Sequence, residues 1–374
     1  MLLHVHYKRK MKKIKIYSVP SHQTKERTSG VDYVRVIQPM TLLNGYSDGE
    51  VTFEVDLYDI HKKDQDQDNW VKISKMYDLV FLNYTVLDWQ YAAMGAPVHG
   101  EGKKIIMDID DAIWNVNEDN VVHDQLKELD AGYKITCMLD DVDGVVTTNN
   151  YLRNVIANKS YKKHNQILVA PNQIDLTHYS HRFPAKDTGE IVLLHYGSTS
   201  HFNDLLLPQF VEGIDKILKE YPNVRFKTVG AFVSELRYKW GQRYENSFGD
   251  VDIYKWRDTK FPEYLSEADI MVTPLIDNLY NRCKSDIHFI EIGSAGKPGV
   301  YSDTRPYSDT IENGKTGFLA QSAEDWYTSI KSLIDSKELR QTMGDNAYNV
   351  VKAERQAQDH VKEYAEFIKQ ILDN

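Results

Sequence analysis

Cysteine is scarce. Cys137 and Cys283 are the only two in 374 residues, far apart and outside any CxxC pair. That excludes a disulfide framework and offers no zinc-binding spacing, so no metal site and a reducing compartment, the cytoplasm, are expected. Long apolar runs are missing too, since none approaches the ~20 residues a membrane span needs. Excess positive charge is also lacking: the net charge is −10 and the pI about 5.7. That speaks against a protein whose main business is holding nucleic acid on a broad cationic face. The one basic cluster, Lys8, Arg9, Lys10, Lys12 and Lys13, follows a short apolar start. This is the reverse of signal-peptide order, and the first ten residues read as a dispensable, solvated extension.

What is present is an ordinary globular composition, 41% hydrophobic and 27% charged. The length favours two domains, expected at 1–178 and 179–355. Candidate strands in the first half are Lys13–Val19, Val51–Tyr58, Asp78–Tyr84, Lys104–Asp110, Gly144–Thr148 and Ile167–Ala170. Helical spacing marks Val31–Leu43 and the long segment Val121–Val142, and Asn149 or Asn150 can cap a further helix. After a breaker-rich linker at Asp175–Glu190 the alternation restarts. Strands are expected at Ile191–Tyr196, Val224–Val229, Ile253–Trp256, Ile270–Pro274 and Gly317–Ala320. Helices are expected at Leu205–Glu220, Pro262–Ala268 and His360–Leu372, with a capping box at Ser322–Asp325. Such alternation predicts parallel α/β sheets covered on both faces, with ligands at the C-terminal ends of the strands.

The chemistry concentrates between Pro274 and Asp303. A buried strand exits into a polar loop carrying Asn281, Arg282 and Lys284. Ser285 is expected to open a helix that carries Glu291 and stops at Gly296. Fixed cations beside a helix start form a site for an anion. In the first half, Asp108, Asp110 and Asp111 cluster at a strand end. Alternation places Asp108 and Asp110 on one face and Asp111 on the other. Asp110 and Asp111 are candidates for ligand binding or general-base catalysis, against a helix-capping role. Arg35 reads as structural or at the rim of the site.

The order GSTSHFND (Gly197–Asp204), EYLSEADIMVTPL, KSDIHFIEIGSAGKPGVYSD and ENGKTGFL resembles the donor-binding domain of GT-B glycosyltransferases of the family 4, or group 1, type. The resemblance spans roughly Ile191 to Val351. PNQID at Pro171–Asp175 resembles the family's domain boundary, and MDIDDAIW at Met107–Trp114 a bacterial and phage branch.

It implies two Rossmann-like domains facing across a cleft, with a closing helix at 356–374 crossing back onto the first. It also implies a retaining, metal-independent transfer from a UDP-, GDP- or ADP-sugar, with no resident cofactor. Glu291 matches the second Glu of the E-x7-E signature and would hold the ribose. The first Glu would fall on Cys283. Lys284 would meet the diphosphate, with Arg282, Asn281 and Ser285 beside it. Gly197, Ser198 and His201 form the loop after the first strand of the donor domain, where His201 and Asp204 order the backbone. Arg27 and Gly30 would approach the donor from the first domain. Three other readings remain: a glycosyltransferase acting on modified DNA bases, a binding protein without turnover, and a sugar-nucleotide epimerase.

Overall fold

The computed structural model describes residues 11–20, 30–58, 69–84, 89–177, 189–247 and 265–374, with 89–93 as backbone only. Arg27, the expected strand at Ile253–Trp256 and most of the linker lie outside them. Two parallel sheets of six strands organise the described residues. The first consists of β1 (Lys12–Val19), β2 (Val51–Leu57), β3 (Leu79–Asn83), β4 (Lys104–Ile109), β5 (Gly144–Thr147) and β6 (Ile167–Val169). Its order is β2-β1-β3-β4-β5-β6. The second consists of β7 (Ile191–Gly197), β8 (Val224–Gly230), β9 (Tyr244–Ser247), β10 (Ile270–Thr273), β11 (Gly299–Ser302) and β12 (Phe318–Ala320), ordered β12-β11-β10-β7-β8-β9. Central strands such as LVFLN and IMVT are buried on both faces, as sheets sandwiched between helices require. In the second sheet the chain reverses its direction of growth between β7 and β10. Loops part at such a switch point and leave a crevice.

Several local expectations need correction. The segment 121–142 is two helices, His123–Glu128 and Ala131–Asp141, because Asp130 adopts φ 51° and breaks the run. The helix near Glu291 begins at Ile287, with Asp286 as its cap, so Ser285 lies just before it. The chain then turns at Gly296, whose φ of 67° suits glycine. The segment 30–43 contains one widened turn, Tyr33–Ile37, which swings Arg35 into the core. The capping box is as expected: Ser322 accepts from Asp325 N–H, and Asp325 accepts from Ser322 N–H.

The closing helix, Val361–Asp373, docks on the first sheet. Val361, Tyr364, Phe367, Ile368 and Ile371 join Ile14, Phe53 and Phe81 in one apolar cluster. Each such side chain contributes about 1.5–3 kcal/mol on burial, more than an exposed ion pair could. The crossing segment Arg355–Ala357 is pinned to the domain boundary by Ile174 N–H to Arg355 O and Ala357 N–H to Ile174 O. Arg355 also reaches Asp286, the cap of the helix carrying Glu291, at 2.7 Å. Chain end and site are therefore mechanically linked.

Candidate active site

Three loops from the strand ends meet here. After β10 the chain makes a short turn, Leu279–Arg282, capped by Asn278, whose side chain accepts from Asn281 N–H at 2.8 Å. Asn281 is buried and donates to Asp204 Oδ1 at 3.0 Å and to Ile276 O at 2.9 Å. Asp204 Oδ1 also accepts from Ile276 N–H, and Asp204 Oδ2 lies 3.0 Å from His201 Nδ1. One carboxylate therefore ties the loop after β7 to the loop after β10. Arg282 makes a two-point contact with Asp277 at the surface.

Lys284 is partly buried. Its Nζ lies 3.6 Å from Asp111 Oδ2 and 4.5 Å from the centre of the Tyr280 ring. The Tyr280 hydroxyl donates to Asp111 Oδ2 at 3.1 Å. Burial works against the lysine's charge, but Asp111 and Tyr280 outweigh it and hold the ammonium above its usual range. Lys284 belongs to the second domain and Asp111 to the first, so the pair spans the two.

Asp110 is also enclosed, and its Oδ1 has no partner among the described residues. Burial, then Asp111 and Asp108, push its carboxyl up to about 8. Asp108 itself is fully engaged by Arg35. Nε meets Oδ1 at 3.1 Å and Nη2 meets Oδ2 at 2.7 Å, while Nη1 donates to Ala170 O and Asn172 Oδ1. The three aspartates thus have three different environments.

Asparagines close the cleft. Asn149 caps the helix Asn150–Lys159 through its oxygen, and its amide nitrogen donates to Cys283 O at 2.9 Å and Lys284 O at 3.1 Å. Asn172 donates to Ser285 Oγ at 2.8 Å. On the other side Asn120 donates to Ser200 O, and Asn203 to Asp119 O. Cys283 packs within the first domain's apolar cluster, and burial pushes its thiol up to about 12, so it is no ready nucleophile.

Glu291 is buried. Its Oε2 accepts from the Tyr196 hydroxyl, while its Oε1 has no partner among the described residues. Burial raises this carboxyl to about 8, and Tyr196 opposes that rise. Beside it three imidazoles pack within 5.6–6.0 Å of one another: His195, His201 and His288. His195 Nδ1 faces Val272 O, a pure acceptor, so the proton sits there and Nε2 is bare. Burial, then His201, push His195 down to about 4. These rings lie under the loop Gly197-Ser198. A Cβ on Gly197 would come 2.9 Å from His201 Cδ2, and one on Gly230, at φ 93°, would come 2.3 Å from Gly197 O. Only glycines permit strands β7 and β8 to end so close together. Ser198 Oγ lies 2.7 Å from Ser200 Oγ, which shapes the loop. Gly30 starts the first domain's opening helix.

Among the expected residues, the structure joins Lys284 to Asp111, and Asn281 to His201 through Asp204. Arg282, in contact with Asp277, lines a pocket with Asn149 and Ser285. Tyr196, Tyr280, His195 and His288 were not anticipated. Tyr196 and His195 are polar residues in the otherwise apolar strand IVLLHYG, and that was the available signal. Among the described residues, no group of His, Cys, Asp and Glu could hold a metal ion.

Residues 190–336 match the family model described as glycosyl transferases group 1. No curated protein matches the chain. Among solved structures, Anabaena HepE in complex with UDP-glucose aligns at TM-score 0.66 and 14% identity, over 96% of this chain and 100% of that one. Sucrose-phosphate synthase from Thermosynechococcus elongatus gives 0.63 and 15%, over 97% and 99%. A glycosyltransferase from Rickettsia africae gives 0.63 and 16%, also over 97% and 99%. The architecture is that of the GT-B fold.

Proposed function

We propose that this protein transfers a sugar from a nucleoside-diphosphate donor to an acceptor held by the first domain, with retention of anomeric configuration and without a bound metal. The observation that carries the reading is the buried, unpartnered Oε1 of Glu291 in the segment that matches group 1 glycosyl transferases. A carboxylate oxygen shut off from water and from protein donors calls for a ligand hydroxyl. The ribose of the nucleotide supplies one. Lys284 stands beside the helix start as the cation for the diphosphate, and it exchanges Asp111 for the donor when the donor arrives. Asp110 and Asp111 then face the acceptor. Asn281, Ser285, Gly197, Ser198 and His201 shape the backbone around the donor, and Arg282 lies at the rim. Gly30 approaches from the first domain, and Arg27 is assigned to the donor from its sequence alone.

Base and sugar follow from experiment. HepE was crystallised with UDP-glucose, so uridine nucleotides are the first probes, followed by GDP- and ADP-sugars. Thermal unfolding with each should show a concentration-dependent rise in Tm for one base. Hydrolysis and transfer assays on the same donor complete the test. A donor that binds without either reaction would make the protein a binding module. Interconverted sugar nucleotides in the absence of acceptor would make it an epimerase, and label incorporated into hydroxymethylated DNA would identify a base-modifying enzyme. Measured at pH 9, where the carboxyl is ionised, Glu291→Ala should weaken binding of that donor by about 10- to 100-fold, the usual effect of losing a hydrogen bond to a charged group. Unchanged affinity would remove Glu291 from the site.

A further inference from the structure

Tyr196 is placed as no ordinary core tyrosine would need to be. It ends β7 and is buried, and its hydroxyl is directed at one oxygen of Glu291, 95 residues away in sequence. Its main chain is held as well. His288 Nε2 donates to Tyr196 O at 2.9 Å, and the two rings meet edge to face at 4.5 Å. His288 in turn accepts at Nδ1 from the Tyr307 hydroxyl at 2.9 Å. Tyr307 thereby fixes the His288 tautomer, His288 holds the Tyr196 main chain, and the Tyr196 hydroxyl separately meets Glu291. Glu291 Oε1 has no partner among the described residues.

We infer that Tyr196 is a positioning residue for the nucleotide: by holding Glu291 Oε2 it fixes the carboxylate rotamer and presents Oε1 to a single ribose hydroxyl. This rests on the reading of Glu291 as the ribose ligand. It goes beyond that reading by making recognition one-pointed. With Oε2 turned to Tyr196, Oε1 is the oxygen turned to the ribose, and one of the two vicinal hydroxyls takes the stronger carboxylate bond. It also links nucleotide affinity to the charge of a carboxyl that burial alone would keep neutral.

The titratable groups around that carboxyl are Tyr196 and His195 on β7, His288 on its own helix, His201 after β7, and Tyr307 on the helix Tyr307–Thr310. The helix Lys337–Glu354 packs there through apolar Ala347 and Val351. Burial pushes His195 down to about 4 and keeps His288 well below its usual range, while Tyr307 stays well above its own. Glu291, raised to about 8, is protonated below that pH. A ribose hydroxyl donates best to the ionised form, so affinity should rise with pH and level off above the inflection. Tyr196 favours the ionised form, and losing its hydroxyl should move the inflection upward by about one pH unit.

The test is calorimetry of UDP, GDP and ADP, each with its 2′-deoxy and 3′-deoxy forms, from pH 6 to 9. Wild type should prefer the full nucleotide over one deoxy form by about tenfold or more and tolerate loss of the other hydroxyl. Tyr196→Phe should erase that preference and shift the inflection up. Glu291→Gln keeps an oxygen for Tyr196 but cannot titrate, so its inflection should vanish even if Tyr196→Phe does not fold. No binding of any nucleotide by wild type overturns the functional reading, and the inference with it. Binding in which Tyr196→Phe leaves both the preference and the pH profile intact overturns the inference alone. So does an inflection that survives in Glu291→Gln.

Discussion

Lys284→Ala should lower kcat by about 10²–10³-fold while changing KM for the donor far less. When the glycosidic bond breaks, negative charge grows on the departing diphosphate. A group that matters more as that charge grows acts on kcat, whereas one that binds ground and transition state equally acts on KM. Lys284 suits the first task because the protein holds its ammonium in a largely enclosed place. Its side chain is 12% exposed and is braced by the Tyr280 ring and by Asp111. Little water is left to screen it, so its charge acts at a lower effective dielectric than a surface lysine's would. In the free protein Asp111 is its counter-ion, at 3.6 Å, longer than a direct hydrogen bond. A diphosphate with closer oxygens can displace it. The drop should shrink for an activated donor whose leaving group develops less charge, which a purely structural lysine would not do. Wild-type turnover in Lys284→Ala, with Tm unchanged, would place the diphosphate elsewhere.

Much of this was legible in the sequence, for a physical reason. Strands buried on both faces read as continuous apolar runs, and β3, β4, β7 and β10 were found within a residue or two. β9, with the sequence YENS, carries no such run and was missed. So was the helix Trp89–Gly100, whose interior Pro97 argues against a helix on local grounds. At the site, residue type and motif pointed to Lys284 and Glu291. Partners were a different matter. Tyr280 and Asp111 are 169 residues apart, and Tyr196 and Glu291 are 95 apart. No local pattern encodes contacts between residues so far apart in sequence, whether within one domain, as for Tyr196 and Glu291, or across the two, as for Tyr280 and Asp111. Asn149 shows the limit well: its helix-capping role follows from its neighbours, but its bonds to the Cys283 and Lys284 carbonyls do not.

The second large effect concerns stability. Asp108→Ala should destabilise the first domain by about 3–5 kcal/mol, because it strands the Arg35 guanidinium in the core. Arg35 is 1% exposed and Asp108 is fully buried. Burial opposes the guanidinium's charge, yet Asp108 more than offsets it, so Arg35 stays protonated at any working pH. Burial also lifts the Asp108 carboxyl above its ordinary range, and the two-point contact with Arg35 resists that lift. With the carboxylate gone, Nε and Nη2 lose their acceptors, and only Ala170 O and Asn172 Oδ1 remain on Nη1. A charge with neither counter-ion nor water is costly, and arginine cannot escape by shedding a proton. In thermal unfolding the loss should appear as a fall of roughly 10 °C in Tm. Combining Asp108→Ala with Arg35→Met should recover much of it, since removing both charges leaves none unpaired. A loss below about 1 kcal/mol in the single variant would mean that water reaches Arg35. The ion pair would then be a surface feature. Asp110, two residues along and itself pushed up partly by Asp108, would lose its rigid floor as well as a neighbouring charge. A stable Asp108→Asn variant should therefore show an altered pH–rate profile along with its smaller stability loss, because the Asp110 carboxyl answers to the same pair that holds the core.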